Sequence, residues 1–151
     1  MGILTSRRSG LVLILASVGA VLLPACASVP PSEGFVGFGQ IVPVESGGTY
    51  LDVSPNELGG LLEAKDFYFV NVHVPYEGEI PQTDAFIAFD QVLQNLSQFP
   101  QDKSARIVLY CRSGSMSAIA ARTLVEEGYT NVLNLDGGFR AWKAQGYPLD
   151  E

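Results

Sequence analysis

The sequence predicts an α/β fold in which an open parallel sheet carries helices on both faces. From residue 49 onward, short apolar runs alternate with helical patterns, which is the order of repeated strand-helix-strand units. The most regular apolar run, residues 106–110, is followed at once by Cys111. Ligands of open parallel sheets bind beyond the carboxyl ends of the strands. Cys111 is therefore expected at the edge of the sheet where binding sites occur.

Individual elements are predicted from apolar runs, capping residues and glycines. Ser54 is expected to cap a helix ending near Glu63, since Pro55 can take its first position and Glu57 stands three residues after the serine. Strands are predicted over 50–53, 67–72, 86–89, 106–110 and 131–135, and further helices over 91–98, 117–127 and 139–145.

Residues 1–25 have the pattern of a secretory signal. Arg7 and Arg8 precede a 13-residue run of apolar and small residues, 11–23. As a helix this run would span about 20 Å, which is too short for a bilayer core of roughly 30 Å. The order of positive, apolar and small residues therefore predicts a cleavable signal peptide rather than a membrane span.

The end of this segment, Leu23-Pro24-Ala25-Cys26, resembles a bacterial lipobox. Leu23 and Ala25 match the motif, and Pro24 departs from it because a small residue is more usual there. The resemblance implies cleavage before Cys26 and lipidation of its sulfur. The protein would then be a lipoprotein anchored to a membrane of the bacterial cell envelope, outside the cytoplasm. The alternatives are a plain secretory signal cleaved nearby and an uncleaved anchor.

Cleavage would leave 126 residues, 26–151, a length that suits one domain. Seven lysine and arginine residues would face sixteen acidic ones, a net charge of −9. A surface this acidic repels phosphate backbones, so no nucleic-acid partner is expected, and any anionic substrate needs a local positive feature.

Prolines and glycines over 26–48 predict a tether. Apolar residues within 35–44 could nonetheless pack on the domain. The domain itself is expected over 49–151.

The chain has two cysteines and one histidine. With Cys26 lipidated, Cys111 would be the only free thiol. A dithiol–disulfide mechanism needs a neighbouring second cysteine, and a four-ligand zinc site needs more cysteine and histidine than this chain offers. No metal and no cofactor is therefore predicted.

Cys111 is followed by five small or flexible residues and then by a predicted helix. A loop curled around Gly114 can turn several backbone N–H groups toward one point, and the following helix adds its positive amino-terminal end. Such surroundings favour a thiolate, which is a nucleophile and can be extended to a persulfide anion. The alternative is that Cys111 is a buried and inert small hydrophobe.

Three segments carry a resemblance to the rhodanese sulfurtransferases: Tyr110-Cys111-Arg112-Ser113-Gly114-Ser115-Met116-Ser117, Gly128-Tyr129-Thr130-Asn131-Val132 and Leu135-Asp136-Gly137-Gly138-Phe139-Arg140-Ala141-Trp142. The match covers about residues 49–150. The resemblance implies a five-stranded parallel sheet flanked by helices on both faces. It also implies transfer of sulfane sulfur from thiosulfate, a polysulfide or a persulfide to a thiol acceptor, through a persulfide on Cys111. The substrate-binding loop would consist of Arg112, Ser113, Gly114, Ser115, Met116 and Ser117.

The chain departs from the family pattern at three places. Met116 stands where the family often has Arg, Asn71-Val72-His73 where it often has Asp-x-Arg, and residues 78–83 differ from its Gly-His-Ile-Pro-Gly-Ala segment. The loss of a cation at Met116, in an acidic protein, favours a neutral or thiol-borne sulfur donor over thiosulfate.

Other residues and other functions remain as alternatives. Arg112 could meet an anionic donor or be a solvated charge, and His73 could hydrogen-bond near the sulfur or be merely exposed. A second function is a persulfide carrier that serves a partner enzyme of sulfur metabolism without turnover of its own. A third is a cysteine phosphatase, which needs Arg six residues after the cysteine, where this chain has Ser117.

Overall fold

The computed structural model describes Gly2 and residues 37–150. Apart from Gly2, the predicted signal over 1–25 lies outside the described residues, as do the lipidation site Cys26 and the tether up to residue 36. The strands are β1 (Gln40–Pro43), β2 (Thr49–Val53), β3 (Tyr68–Asn71), β4 (Ala85–Phe86), β5 (Ile107–Tyr110) and β6 (Val132–Leu135). The α-helices are α1 (Pro55–Glu63), α2 (Ser115–Glu126) and α3 (Gly138–Ala144). Among the described residues, no helix has the length and hydrophobicity needed to cross a bilayer.

The strands form one sheet in the order β1-β2-β6-β5-β3-β4. Strands β2, β6, β5, β3 and β4 are parallel, as expected, and β5 is the middle one of these five. The fold class is confirmed: an α/β sheet with helices on both faces and Cys111 directly after the central parallel strand.

The sixth strand, β1, differs from the tether expected over 26–48. It runs antiparallel to β2 at the edge of the sheet. The chain reverses between them at Gly47 and Gly48, whose φ angles of 104° and 82° are costly for residues with side chains. Gly47 N–H donates to the Val44 carbonyl at 2.9 Å, which closes the turn. The glycine pair therefore makes a hairpin rather than a flexible linker.

Helix α1 begins as the sequence predicts. Ser54 Oγ accepts from Glu57 N–H at 3.3 Å, while Glu57 Oε2 accepts from Ser54 N–H at 2.7 Å. The second oxygen, Glu57 Oε1, accepts from Gly39 N–H at 2.7 Å, so the cap also holds the entry to β1. The Gly39 N–H, aided by Ser54, lowers the pKa of Glu57 against the opposing effect of burial.

The helix predicted over 91–98 is wrong. The chain forms two 3-10 segments there, Phe89–Gln91 and Leu93–Gln98. Asn95 has φ −113° and its side-chain amide donates to the Gln91 carbonyl at 2.8 Å, which competes with the backbone bonds of an α-helix. The strand expected over 86–89 is also shorter and earlier, at Ala85–Phe86.

Two apolar clusters cover the two faces of the sheet. On one face, Ala120, Ala121 and Leu124 of α2 pack over Ile107 and Leu109. On the other, residues of α1 and α3 pack over Val108 and Tyr110; they include Phe139 and Trp142. Because side chains of a strand alternate between faces, Cys111 continues the Ile107–Leu109 series and faces α2, where it joins the first cluster.

Candidate active site

The Cys111 sulfur lies at the carboxyl end of β5 and accepts two hydrogen bonds. Gly114 N–H donates to Sγ at 3.2 Å, and Ser117 Oγ lies 3.4 Å from it. Ser117 Oγ is also 3.1 Å from the Gly114 carbonyl, so its single proton can go to either acceptor. A sulfur that gains negative charge would draw this proton to itself.

The loop enters α2 through a left-handed residue. Gly114 caps the helix with φ 88°, which favours glycine. A Cβ at this position would also lie 3.1 Å from the backbone nitrogen of Gly137. The twelve-residue helix α2 directs its amino-terminal end, with its partial positive charge, toward the loop that holds Cys111. This arrangement stabilises an anion on Sγ.

Helix α3 supports the loop from the other side. Phe139 N–H donates to the Cys111 carbonyl at 2.9 Å, and Arg140 N–H donates to the Arg112 carbonyl at 3.1 Å. This approach requires Gly138, because a Cβ there would collide with the backbone of residues 111–113. Nothing local in the sequence shows that Gly138 packs against the reactive loop.

Tyr110, the residue before Cys111, anchors the loop of residues 78–83. Its hydroxyl accepts from Ile80 N–H at 3.0 Å and lies 2.7 Å from Thr83 Oγ1. Burial raises the pKa of Tyr110, and these hydrogen bonds oppose the rise only in part. The tyrosine therefore stays neutral and ties the loop of residues 78–83 to β5.

Cys111 is a free thiol with only 1% of its surface exposed. Arg112, Ser113 and Ser115 are exposed around it, so the loop itself restricts access to the sulfur. Met116, which replaces the cation often found in the family, is half-buried and packs against the α2-side cluster. Ser113 and Ser115 bring their hydroxyls within 3.4 Å of each other at the surface.

His73 follows β3, the strand beside β5, but it is not an exposed loop residue. It is only 5% exposed, and its ring contacts Phe139 edge-on at a centroid distance of 5.5 Å. Nε2 lies 3.6 Å from Glu77 Oε2, and neither ring nitrogen has a hydrogen-bond partner among the described residues. The two hydrogen bonds to Sγ come from Gly114 and Ser117. Among the described residues, His73 therefore makes no hydrogen bond near the sulfur, and it is buried rather than exposed.

Arg112 points outward, with its side chain 51% exposed. Its Nη1 lies 3.3 Å from Glu77 Oε1, so Glu77 stands between Arg112 and His73. An open cleft of about 350 Å³ adjoins this pair and is also lined by Phe139, Arg140, Lys143 and Leu149. The site thus has a buried sulfur and, next to it, an exposed charged cleft.

The class of protein follows from this geometry. The molecule is an α/β protein whose single described thiol is held by a loop amide and a serine hydroxyl, at the start of a helix. The family model described as "Rhodanese-like domain" matches residues 56–145. The chain belongs to the rhodanese-like family.

Known proteins share both its sequence and its fold. A protein of Allochromatium vinosum named "Sulfurtransferase" is 37% identical over 93 residues, which cover 59% of this chain and 83% of that protein. The rhodanese-like domain of an Anabaena protein, solved by NMR, superposes with a TM-score of 0.58 at 25% identity, covering 66% of this chain and 77% of that one. Other curated relatives are longer, and the match spans as little as 25% of their length.

One solved structure bears on the phosphatase alternative. A Rhodopseudomonas palustris protein described as "Possible Tyrosine Phosphatase" superposes with a TM-score of 0.56 at 25% identity, covering 66% of this chain and 83% of that one. In the present chain, the position six residues after Cys111 holds Ser117, whose hydroxyl is directed at Sγ and at the Gly114 carbonyl. The guanidinium that would clamp a phosphate is absent from this position.

Proposed function

We propose that this protein is a sulfurtransferase that moves sulfane sulfur to a thiol acceptor through a persulfide on Cys111. The observation that carries the proposal is the pair of hydrogen bonds to Sγ, from Gly114 N–H and Ser117 Oγ, at the amino-terminal end of α2. Membership of a family that includes named sulfurtransferases supports it.

In the first half of the reaction, the Cys111 thiolate attacks the outer sulfur of the donor. A bond forms between Sγ and that sulfur, and the bond between that sulfur and the rest of the donor breaks. The electron pair leaves with sulfite when the donor is thiosulfate, or with a thiolate when it is an organic persulfide. The Gly114 N–H and the Ser117 hydroxyl stabilise the anionic sulfur throughout.

In the second half, an acceptor thiolate attacks the outer sulfur of the Cys111 persulfide. The new persulfide leaves on the acceptor, and the electron pair of the broken S–S bond returns to Sγ as the thiolate. No external oxidant or reductant is needed. The low exposure of Cys111 protects the persulfide from other nucleophiles between the two halves.

The donor that suits the loop is thiol-borne. Met116 places a thioether, not a cation, at the sixth position of the loop, so the loop offers less attraction to the two charges of thiosulfate. An organic persulfide carries its sulfane sulfur on a carbon-bound sulfur, so any carboxylates lie away from the loop, and the main-chain amide and the serine can stabilise the reacting sulfur by themselves.

Intact-mass spectrometry of the protein after exposure to polysulfide tests the proposal. We expect a gain of one sulfur, lost on addition of a thiol and absent in Cys111→Ala. The matched control is Ser104→Ala, which changes an exposed side chain on the 100–105 turn and should leave the sulfur gain unchanged. A Cys111 thiol that gains no sulfur from polysulfide, thiosulfate or an organic persulfide would contradict the proposal.

The second candidate is a carrier that delivers sulfur to a partner protein of sulfur metabolism. The 1% exposure of Cys111 favours it, because a buried sulfur limits turnover with free small acceptors. A thiosulfate:cyanide assay separates the two functions. Turnover that is lost in Cys111→Ala identifies the enzyme, whereas persulfide formation without turnover identifies the carrier.

We also propose that the protein is a lipoprotein of the bacterial cell envelope, anchored through Cys26. The support is the sequence pattern of residues 1–26 alone. Fractionation of cells that express the full chain tests this location. The native protein should sediment with membranes and Cys26→Ser should not, and recovery of the native protein in the cytoplasm would contradict the assignment.

A further inference from the structure

The positive charge of the described domain is concentrated beside the reactive loop. Residues 37–150 contain seven lysine and arginine residues against fourteen acidic ones. Three of the seven, Arg112, Arg140 and Lys143, line the cleft of about 350 Å³ next to Glu77. We call this the basic cleft. A domain with an excess of acidic residues thus presents a local positive surface at its candidate active site.

The charges of the basic cleft are mostly unpaired, whereas three of the four other lysine and arginine residues over 37–150 contact a partner. Lys65 pairs with Asp84 at 2.7 Å, Arg106 pairs with Asp66 at 2.6 Å, and Lys103 lies 3.7 Å above the Tyr129 ring. Within residues 37–150, neither Arg140 nor Lys143 has a carboxylate within 4.0 Å. Glu77 offsets Arg112 only, so the cleft keeps two positive charges that an anionic ligand could neutralise.

The fold brings these three side chains together from two elements. Arg140 and Lys143 are three residues apart on α3, so they are neighbours on one helix face. Arg140 N–H donates to the Arg112 carbonyl, which places the start of this face against the residue that follows Cys111. Phe139 and Leu149 supply the apolar part of the lining.

We infer that the basic cleft binds the carboxylates of a small organic persulfide that donates its outer sulfur to Cys111. This inference rests on the proposed sulfur transfer and names its donor class. A volume of about 350 Å³ lies in the range of pockets for small organic molecules and exceeds what a single oxyanion fills. Arginine matches a carboxylate in a bidentate geometry, and the apolar lining suits the carbon chain between carboxylate and sulfur.

With this donor, the sulfur transfer needs no external oxidant or reductant. The Cys111 thiolate attacks the outer sulfur of R–S–SH, the Sγ–S bond forms and the RS–S bond breaks, and the electron pair leaves on RS⁻. The leaving thiolate is itself an anion, and the two unpaired cations of the cleft offset its charge. The same cleft can hold a carboxylated thiol as acceptor in the reverse direction.

The test compares two donors in native protein and in the Arg140→Ser/Lys143→Ser variant. The donors are glutathione persulfide, which carries two carboxylates, and the persulfide of 2-mercaptoethanol, which carries none. We expect the ratio of kcat/KM for the first donor over the second to fall about tenfold or more in the double variant, through KM. Arg122→Ser is the matched control, because it removes an exposed, unpaired cation from α2 on the other face of the sheet, and its ratio should stay at the native value.

Binding of S-methylglutathione, which has no sulfane sulfur, separates this inference from the proposed function. NMR titration of the native protein should shift the signals of residues 140–149, and the double variant should bind at least tenfold more weakly. Equal binding by native protein and double variant, or an unchanged donor ratio, would overturn the inference even if Cys111 forms a persulfide. Binding to the basic cleft without any persulfide on Cys111 would instead overturn only the proposed function.

Discussion

The sulfur site and the basic cleft adjoin each other but are built in different ways. Sγ is held largely by main chain: a glycine N–H, the start of α2, and a loop whose carbonyls accept from the first turn of α3. The basic cleft is made of exposed side chains on α3 and on the loop. The comparison indicates that the sulfur chemistry depends on backbone geometry, whereas the choice of donor depends on side chains that substitution can change without refolding the loop.

Gly138→Ala should have the largest effect, because it disturbs the backbone that holds the sulfur site. The added methyl group would collide with residues 111–113, and φ 58° is unfavourable for alanine. We expect a loss of about 3 kcal/mol in the free energy of unfolding and loss of persulfide formation. Urea denaturation and intact-mass spectrometry measure the two effects.

Gly60→Ala is the matched control for Gly138→Ala. Gly60 lies in α1, is exposed, and has open space where a methyl group would be added. It should raise stability by about 0.5–1 kcal/mol and leave persulfide formation unchanged. Equal tolerance of alanine at both positions would contradict the tight approach of α3 to the reactive loop.

Ser117→Ala should reduce the rate of persulfide formation by about tenfold, because it removes one hydrogen bond to an anionic sulfur while leaving the Gly114 N–H in place. Stopped-flow or quench-flow kinetics with polysulfide measure the rate. Thr123→Ala is the control, since it removes a hydroxyl from α2 that bonds only to the Ile119 carbonyl. A rate that falls equally in both variants would show that the effect comes from the helix and not from the sulfur.

Glu77→Gln changes a side chain of the basic cleft. It should improve the reaction with the donor, whereas Gly138→Ala and Ser117→Ala should impair the sulfur chemistry. The substitution removes the only acidic residue among the described ones that line the basic cleft, and it frees Arg112. We expect KM for glutathione persulfide to fall two- to fivefold, a modest effect because the charges are exposed to solvent. Glu127→Gln removes an exposed charge at the far end of α2 and should leave KM unchanged, so a fall in KM with both variants would indicate a general charge effect.

Glu57→Gln should have the smallest effect, and it should leave persulfide formation on Cys111 unchanged. The Gly39 and Ser54 N–H groups hold the pKa of Glu57 below its ordinary value of 4.5. The ionised form therefore adds stability above that value, and this contribution is lost as the pH falls through the lower folded-state pKa. At pH 7 we expect Glu57→Gln to cost about 0.5–1 kcal/mol, and the difference should shrink in acid. Thermal unfolding at several pH values measures it, and a constant difference would contradict the sign.

Much of the fold could be predicted because its signals are local. The cap at Ser54, the apolar run before Cys111 and the glycine after α2 each act on their own neighbours in the chain. The failures also have a local cause. The Asn95 side chain competes with the α-helix over 91–98, and the glycines at 47 and 48 close a hairpin where flexibility was expected.

The surroundings of the sulfur were less accessible to sequence reasoning, because they depend on contacts between distant segments. The loop around Cys111 is continuous in sequence, but Gly138 and Arg140 reach it only through the packing of α3. The burial of His73 depends on Phe139, sixty-six positions further along the chain. The basic cleft likewise combines residue 112 with residues 140 and 143, which no spacing rule connects.

Both ends of the described domain lie on the rim that carries the thiol. Gln40 stands opposite Asp52 near the end of β2, and Asp150 bridges to Glu79 beside the end of β3. A surface coupled directly to either of these ends of the described domain would therefore crowd the entrance to Cys111. Lys103, on the turn before β5, lies on the opposite rim. Immobilisation through its amine would leave the reactive side facing solution.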